Sequence, residues 1–216
     1  MGWSDFKQLL NEWHPIKNGN LKPQDFSIGS HKKAWWQCSK AADHEWVSEI
    51  RGRTKRKYGC PFCAGKHSSS VNNLLLHYPE IAKEWHPTKN EKLQPYQVTP
   101  NTTKKVWWLC SKGHEYLHSV NQRTSRVKKC PYCSGYRVGS DNNFKYLRPK
   151  LAEDWDYEKN GDVKPENITA STHKKYWFKC KLLHSYKTEI ASKSYYHSGC
   201  PLCTNQTSKA ELRIFT

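Results

Sequence analysis

The chain has 216 residues, of which only 36% are hydrophobic, and its formal net charge is +17. So small an apolar fraction favours several small domains over one large core. It has no apolar run that could cross a bilayer and no secretory signal pattern in residues 1–10, which predicts a cytoplasmic protein with reduced thiols. The excess of positive charge attracts polyanions or anionic membranes, or is simply a solvated basic surface.

A repeated motif organises the sequence. A Cys-Pro-x-Cys motif begins at Cys60, Cys130 and Cys200, and an aromatic pair followed by a Cys and then a His stands upstream of each copy. A Trp-containing segment opens each unit, with a Lys-Asn dipeptide a few residues after the Trp. The predicted domains are three repeats, residues 1–66, 67–136 and 137–206, followed by the start of a C-terminal helix at 207–216.

Local signals predict the same elements in each repeat, and we take them in chain order. Segments 79–85 and 149–155 start with Pro and are predicted to be short helices. The dipeptides Asn18-Gly19 and Asn160-Gly161 predict turns after them. Residues 33–38 and 45–51 predict a β-hairpin with the first Cys and His at its tip. A short loop then leads to the second Cys pair, and Gly- and Ser-rich segments 64–70 and 134–140 are interpreted as linkers.

The number and spacing of the cysteines and of three matched histidines indicate metal sites. Three Cys and one His per repeat complete a closed tetrahedral zinc site, and all nine cysteines are used. Iron is the alternative metal, but the His ligand favours zinc. Three structural zinc ions are therefore predicted, without catalysis at the metal. The remaining histidines, among them His31, His86 and His173, are interpreted as surface groups. The predicted ligands are Cys38, His44, Cys60, Cys63, Cys110, His114, Cys130, Cys133, Cys180, His184, Cys200 and Cys203.

Aromatic and basic residues recur in register beside these sites. Strand alternation places Trp36, Trp108 and Phe178 on one face of the hairpin and the preceding Trp on the other, where stacking on nucleobases competes with burial. Trp13, Trp85 and Trp155 are predicted to pack the helix onto the hairpin. Cations at equivalent positions are either solvated strand ends or phosphate contacts. The candidate nucleic-acid-binding residues are Lys32, Lys33, Arg53, Lys104, Lys105, Arg123, Lys174, Lys175 and Lys193.

Residues 85–135 carry a family resemblance. Trp-His-Pro-x-Lys-Asn, Lys-Lys-x-Trp-Trp-x-Cys, Gly-His-Glu and Cys-Pro-Tyr-Cys-Ser-Gly together resemble the zinc-ribbon, treble-clef-like repeat domain of bacteria and large DNA viruses. The third copy departs from the pattern at Asp156 and Leu183. The resemblance implies three tandem α+β zinc-stabilised modules, each a short helix, a β-hairpin and a zinc knuckle. Such repeats often precede a very-short-patch-repair-like endonuclease domain. Residues 207–212 resemble the first helix of such a domain, and Glu211 would be its first acidic residue.

These features together predict a non-catalytic nucleic-acid-binding array, with DNA as the first expected partner and RNA still open. It would be cytoplasmic and nucleoid-associated, would not bind membranes, and would be the targeting region of an endonuclease if a nuclease domain followed. The alternative is a protein-interaction scaffold whose exposed Trp residues dock a partner.

Overall fold

The computed structural model describes residues 2–125, 129–196 and 199–204. It divides into two compact units, Met1–Lys128 and Lys129–Thr216. Within the described part of the chain, no helix has both the length and the apolar character needed to cross a membrane. The C-terminal helix expected at 207–216 lies outside the described residues.

The first unit contains two β-hairpins with short helices before and after each of them. Its α-helices and strands are, in chain order, α1 (Lys7–Asn11), β1 (Lys33–Gln37), β2 (Glu45–Glu49), α2 (Ile50–Thr54), α3 (Leu74–His77), α4 (Pro79–Ala82), β3 (Lys105–Leu109), β4 (Glu115–Ser119) and α5 (Val120–Ser125). Its 3-10 helices are Trp3–Phe6, Pro23–Asp25 and Pro95–Gln97.

The second unit contains one hairpin with the same flanking helices and an additional short helix, Tyr157–Asn160, before it. Its α-helices and strands are α6 (Phe144–Leu147), α7 (Pro149–Ala152), α8 (Tyr157–Asn160), β5 (Lys175–Lys179), β6 (Ser185–Glu189) and α9 (Ile190–Tyr196), and its 3-10 helix is Pro165–Asn167. All three hairpins are two-stranded and antiparallel, with the same register.

Each hairpin has one buried face. Residues directly opposite each other in an antiparallel pair point to the same side, so the register determines which side chains meet. Trp36, Trp108 and Phe178 are fully buried, whereas the Trp before each of them is only half-buried. The prediction from strand alternation is therefore confirmed. The central inward pairs are Trp36 with Trp46, Trp108 with Tyr116, and Phe178 with Tyr186.

The second strand of each hairpin is shorter than predicted. In the first repeat it ends at Glu49 instead of residue 51, and α2 (Ile50–Thr54) occupies the last two predicted strand residues and the start of the expected short loop. Ile50 is fully buried, as are Val120 and Ile190 at the start of α5 and α9. Ile50 keeps the inward position that strand alternation gives it, two residues after Ser48, so each helix begins at a side chain already in the core.

The opening Trp of each repeat packs against the hairpin, as predicted. Trp13 meets Trp36 edge to face at 5.4 Å between ring centroids, Trp85 meets Trp108 at 5.6 Å, and Trp155 meets Phe178 at 5.4 Å. The predicted helices begin at their prolines but end at Ala82 and Ala152, before the Trp, which instead forms an isolated β-bridge to the hairpin. Bridging lets the indole reach the hairpin core, which a continued helix would not allow.

The Lys-Asn dipeptide that follows this Trp fixes the edge of the hairpin. The Asn18 amide accepts from the backbone N–H of Trp35 at 2.8 Å and donates to its carbonyl at 2.9 Å. Asn90 and Asn160 make the same two bonds in the other repeats. This side chain therefore pairs with the backbone as a neighbouring strand would, and it shares the Trp carbonyl with the backbone N–H of the residue after the opening Trp, such as His14.

The segments interpreted as linkers are tied to the knuckles that precede them. The Asn72 amide donates to the carbonyl of Phe62 at 2.9 Å, and the Asn142 amide donates to the carbonyl of Tyr132 at 2.5 Å. Gly65 adopts φ 71° just after the Cys pair and so lets the chain turn back. The asparagines just after these linkers therefore hold the chain against the knuckles.

The two adjacent tryptophans of a hairpin should contribute unequally to stability. Trp108→Ala removes a fully buried indole and should lower the free energy of unfolding by about 3–5 kcal/mol. Trp107→Ala, its matched control on the outer face, should cost clearly less. Urea denaturation of the zinc-loaded protein followed by circular dichroism measures both, and equal losses would contradict this assignment of faces.

Candidate metal centres

The first ligand set joins the hairpin tip to the knuckle that follows α2. Cys38 comes directly after β1 and His44 directly before β2, and the backbone N–H of Cys38 donates to the carbonyl of His44 at 3.0 Å. Cys60 and Cys63 lie on a tight turn in which Ala64 donates to the carbonyl of Cys60. Two short turns, distant in sequence, thus present four metal-binding side chains to one point.

Distances between these ligands match the edges of a zinc tetrahedron. Ligands at about 2.3 Å (sulfur) and 2.0–2.1 Å (nitrogen) from a tetrahedral ion lie roughly 3.5–3.8 Å apart. Cys38 Sγ lies 3.7 Å from Cys63 Sγ, and His44 Nδ1 lies 3.7 and 3.6 Å from the sulfurs of Cys60 and Cys63. The residues therefore fit a zinc ion without rearrangement.

The third set has the same geometry within the second unit. Cys180 Sγ lies 3.7 Å from Cys203 Sγ, and His184 Nδ1 lies 3.8 and 3.4 Å from the sulfurs of Cys200 and Cys203. The second repeat has a set of the same composition, in which Cys110 Sγ lies 3.4 Å from His114 Nδ1. The twelve predicted ligands are confirmed as three groups, each suited to one structural zinc: Cys38, His44, Cys60 and Cys63; Cys110, His114, Cys130 and Cys133; Cys180, His184, Cys200 and Cys203.

Burial and crowding disfavour the thiolate forms of two ligands, Cys63 and Cys203. Desolvation raises the pKa of Cys63, and likewise that of Cys203, to about 12, and the neighbouring thiols add to the shift. Zinc binds thiolates, so its charge must offset both effects as the ligands lose their protons. When bound, the metal supplies folding free energy and no open coordination position for chemistry.

In the first repeat the ligand His is oriented by a second hydrogen bond. Its Nε2 lies 2.9 Å from the hydroxyl of Ser69, while Nδ1 faces the sulfurs. Ser70 donates its backbone N–H and its hydroxyl to Asp43, the residue before His44. A partner on the far ring nitrogen fixes the orientation of a ligating His. The residue corresponding to Ser69 in the next repeat is Gly139, which has no hydroxyl.

Fold and site together define a class of small α+β modules stabilised by Cys3His zinc sites. A family model described as a probable treble clef zinc finger domain matches the chain three times, at residues 9–66, 81–136 and 151–206. The chain therefore belongs to this family, as its sequence motifs predicted. A search of the curated proteins finds no match.

Three of the candidate nucleic-acid contacts are buried in the core, which corrects their prediction. Arg53, Arg123 and Lys193 are 4%, 5% and 2% exposed. The Arg53 guanidinium pairs with Glu12 and lies 5.1 Å from the centroid of Trp36. These cations recur because each bridges the opening segment to the hairpin core, so they do not face solvent, where a phosphate would bind.

The buried cation and its neighbours change together between repeats. Repeats one and two use Arg with Glu, whereas the third uses Lys193 with Asp154 at 3.1 Å. Lys193 also donates to the hydroxyl of Tyr186 at 2.7 Å and lies 4.6 Å from the centroid of Phe178. In the third repeat Phe178 thus replaces the larger Trp, Lys193 replaces Arg and Asp154 replaces Glu. The buried cation keeps both an acidic partner and an aromatic ring beside it.

His86, interpreted as a surface group, is buried and also belongs to a recurring pair. Its Nε2 lies 2.8 Å from the Glu115 carboxylate and its Nδ1 accepts the backbone N–H of Lys89 at 3.1 Å. The third repeat has Asp156 and Ser185 at the two positions, and the Ser185 hydroxyl donates to Asp156 at 2.6 Å. That bond is the main cause that lowers the pKa of Asp156. His31 and His173 are exposed, as interpreted.

The other six candidate contacts lie on the surface. They stand in pairs at the start of the first strand of each hairpin, and all six are exposed: Lys32, Lys33, Lys104, Lys105, Lys174 and Lys175. Among the residues that the structure describes, none of the six has an acidic partner within 4.0 Å. Their ammonium groups are therefore available to an anion.

Purified protein should contain three zinc ions per chain by elemental analysis. Cys60→Ser leaves the first site with three protein ligands and should reduce the zinc content to two ions per chain, while the sites in the other repeats stay filled.

Strong chelators should abolish the native circular dichroism spectrum, because zinc contributes on the order of 10 kcal/mol to each module. Ser39→Ala, beside a ligand but without metal-binding atoms, is the control. A stoichiometry unchanged by Cys60→Ser would contradict the ligand assignment.

Arg123→Gln should affect stability without affecting nucleic-acid binding. It breaks the contacts of a buried guanidinium with Glu84 and Trp108, and should lower the free energy of unfolding by about 2 kcal/mol, less than for a fully buried pair because Glu84 is 32% exposed. Lys105→Gln, on the surface, should change it by less than about 0.5 kcal/mol. Chemical denaturation of both variants tests this, and a reversed order would restore Arg123 as a surface contact.

Proposed function

We propose that the chain is a non-catalytic nucleic-acid-binding array, with DNA as its first target. The observation that carries the proposal is the exposed lysine pair at the start of every hairpin, in the same position three times and without an acidic partner among the described residues. A net charge of +17 adds a long-range attraction for polyanions. Zinc has a structural part in this function, since four protein ligands close each site.

The number of cations suits a binding mode that depends on salt. Six lysines that each neutralise one phosphate would give a log–log salt slope of about −5. Each pair alone would bind weakly, but covalent linkage of three pairs raises the affinity through effective concentration. Lysine ammonium groups contact phosphate without reading bases, so sequence selectivity is expected to be small.

A second candidate is a protein-interaction scaffold. In the first two hairpins the half-buried Trp lies opposite an exposed aliphatic residue, Val47 at 45% and Leu117 at 41% exposure. Such an apolar pair would suit a protein partner better than a phosphate backbone. Association with an endonuclease domain remains a prediction, because the residues that suggested it lie outside the described part of the chain.

The double variant Lys104→Gln/Lys105→Gln distinguishes the two candidates. Gel shifts with a 30-residue duplex at rising salt should show binding weakened roughly tenfold and a salt slope reduced by about 2, since two phosphate contacts are lost. Lys83→Gln/Lys92→Gln removes the same charge from exposed positions of the same repeat and should have a much smaller effect.

Single-stranded DNA and RNA of the same length test the choice of polymer. Absence of binding of the wild-type protein to all three at 50 mM salt would exclude the proposed function. If Lys104→Gln/Lys105→Gln bound as the wild type does, the lysine pairs would not be the contact surface.

A further inference from the structure

The three hairpins share their inner faces but differ on their outer faces. Two outward positions account for the difference. The residues opposite the half-buried Trp are Val47, Leu117 and Lys187. The residues two positions after this Trp are Gln37, Leu109 and Lys179. The third hairpin therefore has lysine at both positions where the first two have uncharged residues.

Charge on the outer faces follows the same order. All three begin with an exposed lysine, which is Lys175 in the third repeat. The outer face of the first hairpin has one lysine and two glutamates, and that of the second has one lysine and one glutamate. The outer face of the third has three lysines and one glutamate, Glu189. The attraction for an anion is consequently greatest at the third hairpin.

A fourth cation is released there by the exchange of the His–Glu pair. In the first two repeats the lysine over the Trp ring also pairs with a glutamate, as Lys17 does with Glu45. In the third, Lys159 lies 4.5 Å from the centroid of Trp177, but Ser185 replaces the glutamate. The remaining carboxylate, Asp156, is 4% exposed and accepts hydrogen bonds from the Ser185 hydroxyl and the backbone N–H of Lys159. The charges of Lys179 and Lys159 also act on this carboxylate, but Lys159 forms no ion pair within 4.0 Å to any described residue.

These residues form one surface, which we call the Trp177 platform: Trp177 with Lys159, Lys175, Lys179 and Lys187. All four lysines are exposed. Lys175 and Lys179 stand four residues apart on β5, about 13 Å at 3.3 Å per residue, on either side of Trp177. Measured along the helix axis of B-form DNA, that length corresponds to about four phosphates of one strand.

We propose that the Trp177 platform is the principal phosphate-contacting surface of the chain, so that the third repeat contributes more to nucleic-acid affinity than either of the others. The inference rests on the proposed function and assigns it unequally among the repeats. A nucleic-acid backbone suits the platform because its charges are regularly spaced. A membrane suits it less, since interfacial insertion uses an apolar face: the platform surrounds Trp177 with lysines, and the exposed Leu182 and Leu183 lie in the turn of the hairpin and not on the platform.

Exchange of outer-face residues between repeats tests the proposal in the full chain. Lys179→Gln/Lys187→Val gives the third hairpin the residues of the first, and should weaken binding to a 30-residue duplex more than tenfold and lower the salt slope by about 2. The control Lys150→Gln/Lys164→Gln removes the same charge from exposed positions elsewhere in the same repeat. The reciprocal variant Gln37→Lys/Val47→Lys should tighten binding. Zinc content and circular dichroism verify that each variant is folded.

The outcomes separate the inference from the function on which it rests. If the wild type binds DNA but Lys179→Gln/Lys187→Val weakens no more than its control, the platform is not the principal surface while the function stands. Failure of the reciprocal variant to gain affinity would also overturn the inference. If the wild type bound no oligonucleotide, both the proposed function and the inference would be overturned. Binding only to polyglutamate or to vesicles of anionic lipid would have the same consequence.

Discussion

Metal coordination is the constraint on which the rest of the structure depends. Each module has one thin layer of buried side chains between a two-stranded hairpin and short helices, and such a layer buries too little apolar area to offset the chain entropy. Four ligands fix the hairpin tip to the knuckle at the edges of a tetrahedron. With these turns joined, α2, α5 and α9 each begin with a side chain that is fully buried in the core, namely Ile50, Val120 and Ile190. Aromatic packing then adds to a geometry that the metal has already set.

The sequence was sufficient to predict the ligands because metal binding depends on residue type and spacing, and three copies in one chain served as their own comparison. Strand alternation predicted the burial of Trp36 and Trp108 for the same reason: it is a local rule. The errors concern residues whose environment is set by distant neighbours. Arg53 looked like a surface cation because nothing local shows that Glu12 and two aromatic rings enclose it. His86 was misread in the same way, since its partner Glu115 stands on another element.

Coordinated exchanges among the repeats show which contacts act as a unit. Arg with Glu becomes Lys193 with Asp154 beside a smaller ring, and the His–Glu pair becomes Asp156 with Ser185. Each exchange leaves the buried cation or carboxylate with a partner, which matters because an unpaired charge in the interior is costly. The second exchange also moves a carboxylate from the surface to the interior without a change in formal charge. Interior compensation of this kind leaves the outer face free to acquire a different partner chemistry.

The hydroxyl that orients His44 belongs to Ser69, which lies past the end of the first family match at residue 66. A fragment that stopped at that residue would keep all four ligands and still lose the group that fixes the imidazole ring. The first module therefore extends a few residues past its family match, into the segment that begins the second repeat. For this module the repeat recognised in the sequence is shorter than the segment that folds as a unit, and its boundary is better drawn from side-chain contacts than from the period of the motif.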